Sequence, residues 1–393
     1  MVTQVEASGL GPGVSFSETE LMRAARILLP STPVRGVGGP SREGRAVMGR
    51  PVVGSVQGSM NGPLWVAVTL EEQAGLARAA EPLVQARKSD TATFSTEHEL
   101  REFWACERTA GLRALCILGT KISWLAQEEL QRDGALVARL PFDDHDELYD
   151  YARTLGRPQP VGRRATIVAP ASDGFTSALS RMFVNPVKDA LSALRFEVTI
   201  ADQRSEPVDA IAAAAILVLL THGGDDAAAG EPRGVPPGTR EAILEACRRG
   251  AWIVHLGCNG AGTFAGGRFG PLVQELSLGR VPVSQTDTTG RFAIDCLRAG
   301  ARGVLAHVDS TWSNAFEDPL SVVSWVEWIG SGAGALAWAG EDISRASGNA
   351  AIAAVEMHGR GDPRASLCWL RHVDLRGFVA LGDPSSFGTW LDR

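Results

Sequence analysis

The sequence predicts an α/β fold with a doubly wound, mostly parallel sheet, and the main reason is a repeated alternation of short and long segments. Apolar runs of strand length, such as AILVLL at 215–220, alternate with segments that have the periodicity of helices. The alternation runs twice, on either side of the linker-like segment GRPQPVGRR at 156–164. Strands that alternate with helices form parallel sheets covered on both faces. With 393 residues, the chain is long enough for two such units.

The first predicted unit, at residues 61–160, is a smaller α/β subdomain that follows an irregular segment at 1–60. Gly, Pro and Ser clusters fill the irregular segment, in which we expect one short helix at 18–29. From Leu64 the run PLWVAVTL predicts a strand, followed by the helix-like segment EEQAGLARAAEPLVQA. The pattern recurs as the helix ELREFWACERTA with the strand LRALCILGT, and as the helix ISWLAQEELQRDG with the strand ALVARLPF.

The second predicted unit, at residues 161–393, shows the same alternation more strongly. Its predicted elements are ATIVAP, the helix SALSRMFVNPVKDALSAL, RFEVTIAD, AILVLL, the helix GTREAILEACRRG, AWIVHL, the helix TGRFAIDCLRAG and RGVLAHV. Ligands of such sheets bind at the carboxyl ends of the strands. A site is therefore expected among the residues that directly follow the apolar runs.

The composition argues against several classes of function. The chain has 38 Lys and Arg against 45 Asp and Glu, a formal net charge of −7 without a long basic run, so nucleic acid is not an expected partner. No apolar run approaches the ~20 residues of a membrane helix, and the first residues lack a signal-peptide pattern. We therefore expect a cytoplasmic protein without a membrane partner. The six cysteines are scattered without CxxC pairs, and the sequence implies neither a metal nor an organic cofactor.

A histidine and a cysteine follow two of the predicted strands. The run AILVLL is followed by His222 and Gly223, and the run WIVHL is followed by Gly257 and Cys258, with one helix between the strands. A right-handed crossover brings such strands side by side, so we expect the imidazole and the thiol to face the same crevice. A neighbouring imidazole activates a thiol by accepting its proton. The glycines of both turns leave backbone amides accessible, as an oxyanion hole requires.

Four segments carry a recognisable order of motifs: LVLLTHGG at 217–224, VHLGCNGAG at 254–262, LRAGARGVLAHVDSTW at 297–312 and FVALGDPSSF at 378–387. In this order they resemble the caspase-fold cysteine peptidases, on the side of the gingipains and CHAT-domain proteases. The resemblance covers most of residues 164–390 and implies a caspase-like catalytic domain at 161–393. The unit before it is similar to the degenerate N-terminal subdomain of gingipain-type proteins, which lacks catalytic residues.

The resemblance implies a Cys-His dyad. It assigns His222 as the base, Cys258 as the nucleophile, and the backbone amides of Gly223 and Cys258 as donors to the oxyanion. The expected function is that of a cysteine endopeptidase, which cleaves a protein substrate through a thioester acyl-enzyme. Bacterial relatives of this type imply activation by an upstream signal, an activating protease or a regulatory partner in a signalling or defence pathway.

The expected substrate pocket differs from that of some family members. Clostripain- and metacaspase-like members have an acidic residue two positions before the nucleophile, where this chain has Leu256. In separase- and CHAT-like members the pocket draws on the loop after the next strand, which here contains Asp309 and Trp312. We expect Leu256, Asp309 and Trp312 to bind substrate, with a preference for a basic P1 residue that depends on Asp309. A turn or helix-cap role for Asp309, with a small or apolar P1 residue, is the alternative.

Two other interpretations of the second unit stay open. Gly260, Gly262 and Ala265 match the dinucleotide pattern G-x-G-x-x-G/A, and Asp287 follows them. This pattern would make the domain a Rossmann-type protein that holds a pyrophosphate at a helix N-terminus. The other interpretation is a non-catalytic caspase-like scaffold that keeps the fold to bind a partner.

Overall fold

The fold is described from a computed structural model. It describes residues 4–6, 15–29, 65–108, 112–155, 162–172, 174–202, 208–223, 232–263, 267, 269, 287–309, 311, 320–331 and 336–385. These residues form fourteen β-strands and thirteen α-helices. The protein has an α/β fold with a ten-stranded, mixed and mostly parallel sheet, which confirms the predicted fold class in its coarse form.

The strands are, in chain order, β1 (Gln4–Glu6), β2 (Ser15–Ser17), β3 (Trp65–Leu70), β4 (Asp90–Phe94), β5 (Ala114–Leu118), β6 (Leu136–Leu140), β7 (Arg164–Val168), β8 (Glu197–Ala201), β9 (Ile216–Leu219), β10 (Trp252–His255), β11 (Gly262–Thr263), β12 (Thr288–Thr289), β13 (Gly303–His307) and β14 (Phe378–Gly382). Two antiparallel pairs, β1 with β2 and β11 with β12, lie outside the large sheet.

The helices are Glu18–Ala25, Gly75–Ala79, Glu81–Ala86, Glu97–Glu107, Trp124–Arg132, His145–Leu155, Gly174–Ala193, Val208–Ala212, Thr239–Arg248, Arg291–Ala299, Leu320–Ser331, Leu336–Gly359 and Ala365–Leu375. The predicted short helix near the N-terminus is confirmed as the first of these, extended by a 3-10 turn at Arg26–Leu28. None of the helices among the described residues is long and apolar enough to cross a membrane.

The large sheet has the strand order β4-β3-β5-β6-β14-β13-β10-β9-β7-β8. Every neighbouring pair is parallel except β13 with β14. The C-terminal strand β14 joins the two predicted units, because Ala380 pairs with Ala138 of β6 on one side and with Leu305 of β13 on the other. The two predicted units therefore share one continuous sheet. Most of the predicted linker at 156–164 lies outside the described residues.

Two of the apolar clusters among the described residues pack on opposite faces of the sheet. Successive residues along a strand point to opposite faces, and β9 shows this clearly, with Leu217 and Leu219 in one cluster and Ile216 and Val218 in the other. Helices Thr239–Arg248 and Arg291–Ala299 contribute to the first cluster, and helices Gly174–Ala193 and Leu320–Ser331 contribute to the second. Strands β9 and β10 are buried on both faces, and they support the turns that follow them.

Candidate active site

His222 and Cys258 follow neighbouring parallel strands. In the pairing of β9 with β10, Leu219 lies opposite His255, and each strand ends at that residue. His222 and Cys258 each come three positions later, so both turns leave the sheet at the same level of its carboxyl edge. The crossover rule predicts this side-by-side arrangement, and the strand pairing agrees with it.

The two turns pack backbone against backbone. A Cβ atom added at Gly223 would lie 1.6 Å from the carbonyl oxygen of Cys258. One added at Gly257 would lie 2.8 Å from the carbonyl oxygen of Thr221 and 3.1 Å from the amide nitrogen of Gly223. Glycine is required at both positions because neither approach leaves room for a side chain. His222 is half-buried, and its carbonyl oxygen accepts the N–H of Arg233 at 2.9 Å, which fixes the outer side of the turn.

The sulfur of Cys258 is held by the segment that follows β13. The backbone N–H of Thr311 donates to Cys258 Sγ at 3.0 Å, and the Thr311 hydroxyl donates to Asp374 Oδ2 at 3.0 Å. A donor directed at sulfur stabilises a thiolate, because hydrogen bonds to charged acceptors are stronger than those to neutral ones. Sequence reasoning missed Thr311 and Asp374 as site residues. Asp374 had no sequence signal, since it reads as an ordinary polar residue of helix Ala365–Leu375.

A second histidine, His255, lies beneath both turns. Its Nε2 is 3.1 Å from the hydroxyl oxygen of Thr221, and a Cβ added at Gly260 would be 2.6 Å from its Nδ1. Burial lowers the pKa of His255 from 6.5 to about 4, so the ring is neutral at neutral pH. Fully buried, His255 is a packed histidine of the strand end rather than a candidate for the base.

The structure describes two of the three residues that are predicted to bind substrate. Leu256 is fully buried in the second apolar cluster, so its position does not support contact with substrate. Asp309 is half-buried beside the turn that carries Cys258, where its carbonyl oxygen accepts the N–H of Asn259 at 2.8 Å and its N–H donates to the carbonyl oxygen of Gly262 at 3.0 Å. Its φ of 85° is a left-handed conformation, which aspartate tolerates in turns. Trp312 lies outside the described residues.

Within the described residues, the dinucleotide pattern does not open a helix. A pyrophosphate site needs a helix that begins at the glycine-rich turn. Gly262 and Thr263 instead form β11, which pairs with Thr288 and Thr289 of β12. The carboxylate of Asp287 accepts the N–H of Trp124 at 2.7 Å, at the start of a helix of the first unit. The described part of the pattern therefore gives no support to the Rossmann interpretation, and Ala265 lies outside the described residues.

Comparison with known proteins leaves the assignment to the site itself. No protein-family model matches the chain, and no curated protein matches it at a significant level. Within the described part of the chain, no group of three or more His, Cys, Asp or Glu side chains could hold a metal ion. The two packed turns and their neighbours are therefore the basis for a functional proposal.

Proposed function

We propose that the protein is a cysteine peptidase in which Cys258 is the nucleophile and His222 is the general base. The observation that carries the proposal is the backbone packing of the two turns, with Gly223 against the carbonyl group of Cys258. Neighbouring turns at the carboxyl edge of the sheet carry a thiol and an imidazole, which supports nucleophilic catalysis by this pair.

The proposed reaction proceeds in two stages. His222 accepts the thiol proton, and the Cys258 thiolate attacks the carbonyl carbon of a peptide bond. The backbone amides of Gly223 and Cys258 donate to the oxyanion of the tetrahedral intermediate. This intermediate collapses to a thioester as His222 protonates the leaving amine. Water then attacks the thioester, with His222 as base, and releases the carboxylic acid and the free thiol.

Substitution of the dyad tests the proposal. We expect Cys258→Ala and His222→Ala each to abolish cleavage of a fluorogenic peptide library, with the double variant hardly worse than either single one, because the two groups act as a unit. The matched controls are Cys106→Ala and His98→Ala, which change an exposed cysteine and an exposed histidine. Substantial cleavage by His222→Ala at an unchanged melting temperature would exclude His222 as the base.

We also propose that an upstream event activates the peptidase. Only 1% of the surface of Cys258 is exposed, so a peptide carbonyl cannot reach the sulfur without a rearrangement of the site. An activating protease or a regulatory partner in a signalling or defence pathway of the cytoplasm would supply that event. Limited proteolysis should therefore raise peptide turnover by the purified protein. A kcat/KM above about 10⁴ M⁻¹s⁻¹ before proteolysis, with no increase after it, would contradict the proposal.

A further inference from the structure

A chain of buried polar side chains leads away from the proposed nucleophile. It begins with the Thr311 N–H on Cys258 Sγ and the Thr311 hydroxyl on Asp374 Oδ2, each at 3.0 Å. Asp374 Oδ1 in turn lies 3.5 Å from Nε2 of His307. The exposed fraction is 1% for Cys258 and 0% for the other three residues. Water cannot replace these contacts, so the geometry of each group depends on the next one.

The hydrogen-bond partners of His307 favour a ring with a proton on both nitrogens. Nδ1 lies 3.0 Å from the carbonyl oxygen of Asp309, and Nε2 lies 2.8 Å from the carbonyl oxygen of Asp374. Carbonyl oxygens only accept hydrogen bonds, so both contacts are satisfied only when both ring nitrogens carry a proton. The ring is then an imidazolium, and the Asp374 carboxylate is the counter-charge that a buried cation needs.

The ring of His307 is also fixed sterically. A Cβ added at Gly377 would lie 2.0 Å from Nε2, and the ring of Phe378 packs edge-on at a centroid distance of 4.8 Å. His307 is the last residue of β13, whereas Asp374 lies at the end of helix Ala365–Leu375. The ion pair therefore ties the helix to the strand whose following segment supplies Thr311.

We propose that His307 and Asp374 are positioning residues, which hold Thr311 so that its backbone N–H stabilises the thiolate of Cys258. This inference rests on the proposed function, in which that thiolate is the nucleophile. An isolated carboxylate near the sulfur would oppose its ionisation. With the imidazolium of His307 as its partner, Asp374 orients the Thr311 hydroxyl without adding a net negative charge.

The test is a pH titration of the thiolate by its ultraviolet absorbance, taken as the difference between each protein and the same protein with Cys258→Ser. We expect Thr311→Val, which removes the hydroxyl at nearly constant shape, to raise the midpoint of the Cys258 titration by about one pH unit, since a hydrogen bond to a charged group is worth that much. Thr311→Ser keeps the hydroxyl, so the midpoint of its Cys258 titration should equal that of the unsubstituted protein. In Asp374→Asn the buried imidazolium of His307 loses its counter-charge and releases its proton, so the net charge near the sulfur stays at zero and the midpoint of the Cys258 titration should rise as in Thr311→Val.

Asp383→Asn is the matched control for Asp374→Asn. Asp383 is also fully buried, but it follows the opposite end of β14 and pairs with Arg87 at 2.9 Å. Its substitution should lower the melting temperature and leave the midpoint unchanged. An unchanged midpoint in Thr311→Val, or an equal shift in Asp383→Asn, would overturn the inference. If Asp374→Asn does not fold, the two Thr311 variants decide the result. Peptide cleavage that persists in Cys258→Ala would instead refute the proposed function.

Discussion

Gly223→Ala is the sharpest test of the proposed active site, because it adds one carbon where the two turns touch. The added Cβ would lie 1.6 Å from the carbonyl oxygen of Cys258, 2.5 Å from its carbonyl carbon and 2.9 Å from its amide nitrogen. Since nonbonded heavy atoms make contact at about 3.5 Å, the turns have to separate by roughly 2 Å. All three neighbouring atoms are backbone atoms, so rotation of a side chain cannot relieve the clash.

This displacement allows the losses of activity and stability to be estimated. A misplacement of about 1 Å between reacting groups costs on the order of 100-fold in rate, so we expect kcat/KM to fall at least that far. Overpacking typically lowers the free energy of unfolding by about 1–3 kcal/mol. The assays are cleavage of the best fluorogenic peptide and urea denaturation of the same preparation.

Gly348→Ala is the matched control for Gly223→Ala. Gly348 lies inside helix Leu336–Gly359, and a Cβ added there meets no atom within 4 Å. The change should leave kcat/KM unchanged and raise the free energy of unfolding by about 0.5–1 kcal/mol, because alanine favours the helix. If Gly223→Ala keeps both its activity and its stability, the turns are not packed as described, and the dyad geometry loses its main support.

Three further predictions concern pH, packing and specificity. Because burial lowers the pKa of His255 to about 4, the unfolded chain holds that proton more tightly, and stability should fall as the pH drops from 6.5 towards 4. The free energy of unfolding should change by up to about 1.4 kcal/mol per pH unit. Urea denaturation should show this pH dependence in His98→Gln and not in His255→Gln. Gly377→Ala should destabilise the fold by about 1–3 kcal/mol or more, since its Cβ would lie 2.0 Å from the buried His307 ring; an unchanged urea midpoint would contradict this packing. Asp309→Asn should lower the kcat/KM ratio of P1-Arg to P1-Leu peptides about 10- to 150-fold, and an unchanged ratio would make Asp309 a turn residue only.

The apolar strands were predictable because burial on both faces produces a continuous apolar run. All residues of β5, β9 and β10 are buried, and each of these strands appears in the sequence as such a run. The edge strand β4 was missed because its sequence, DTATF, is mostly exposed and has no apolar run. The helix predicted over EEQAGLARAAEPLVQA is broken into a 3-10 turn and two short helices, the second of which begins next to Pro82.

The same reasoning explains which parts of the site were predictable. His222 and Cys258 follow consecutive parallel strands, so the crossover rule brings their turns together from local sequence alone. Thr311 and Asp374 meet because β14 pairs antiparallel with β13. No local sequence pattern predicts that pairing. Their hydrogen bond joins residues 63 positions apart, at a distance where spacing carries no information about contact.

The first unit supports the proposed active site although it contributes no residue to the dyad. Strand β14 begins at Phe378, directly after the helix that carries Asp374, and Phe378 packs against the ring of His307. The first unit holds β14 through its pairing with β6 and through Arg87, which lies 2.9 Å from the buried carboxylate of Asp383. Without that unit, β14 would become an exposed edge, and breaking a buried ion pair costs about 3–5 kcal/mol. The strand that backs His307 would then lose one of its two neighbours, so the predicted catalytic region depends on the whole ten-stranded sheet for its geometry.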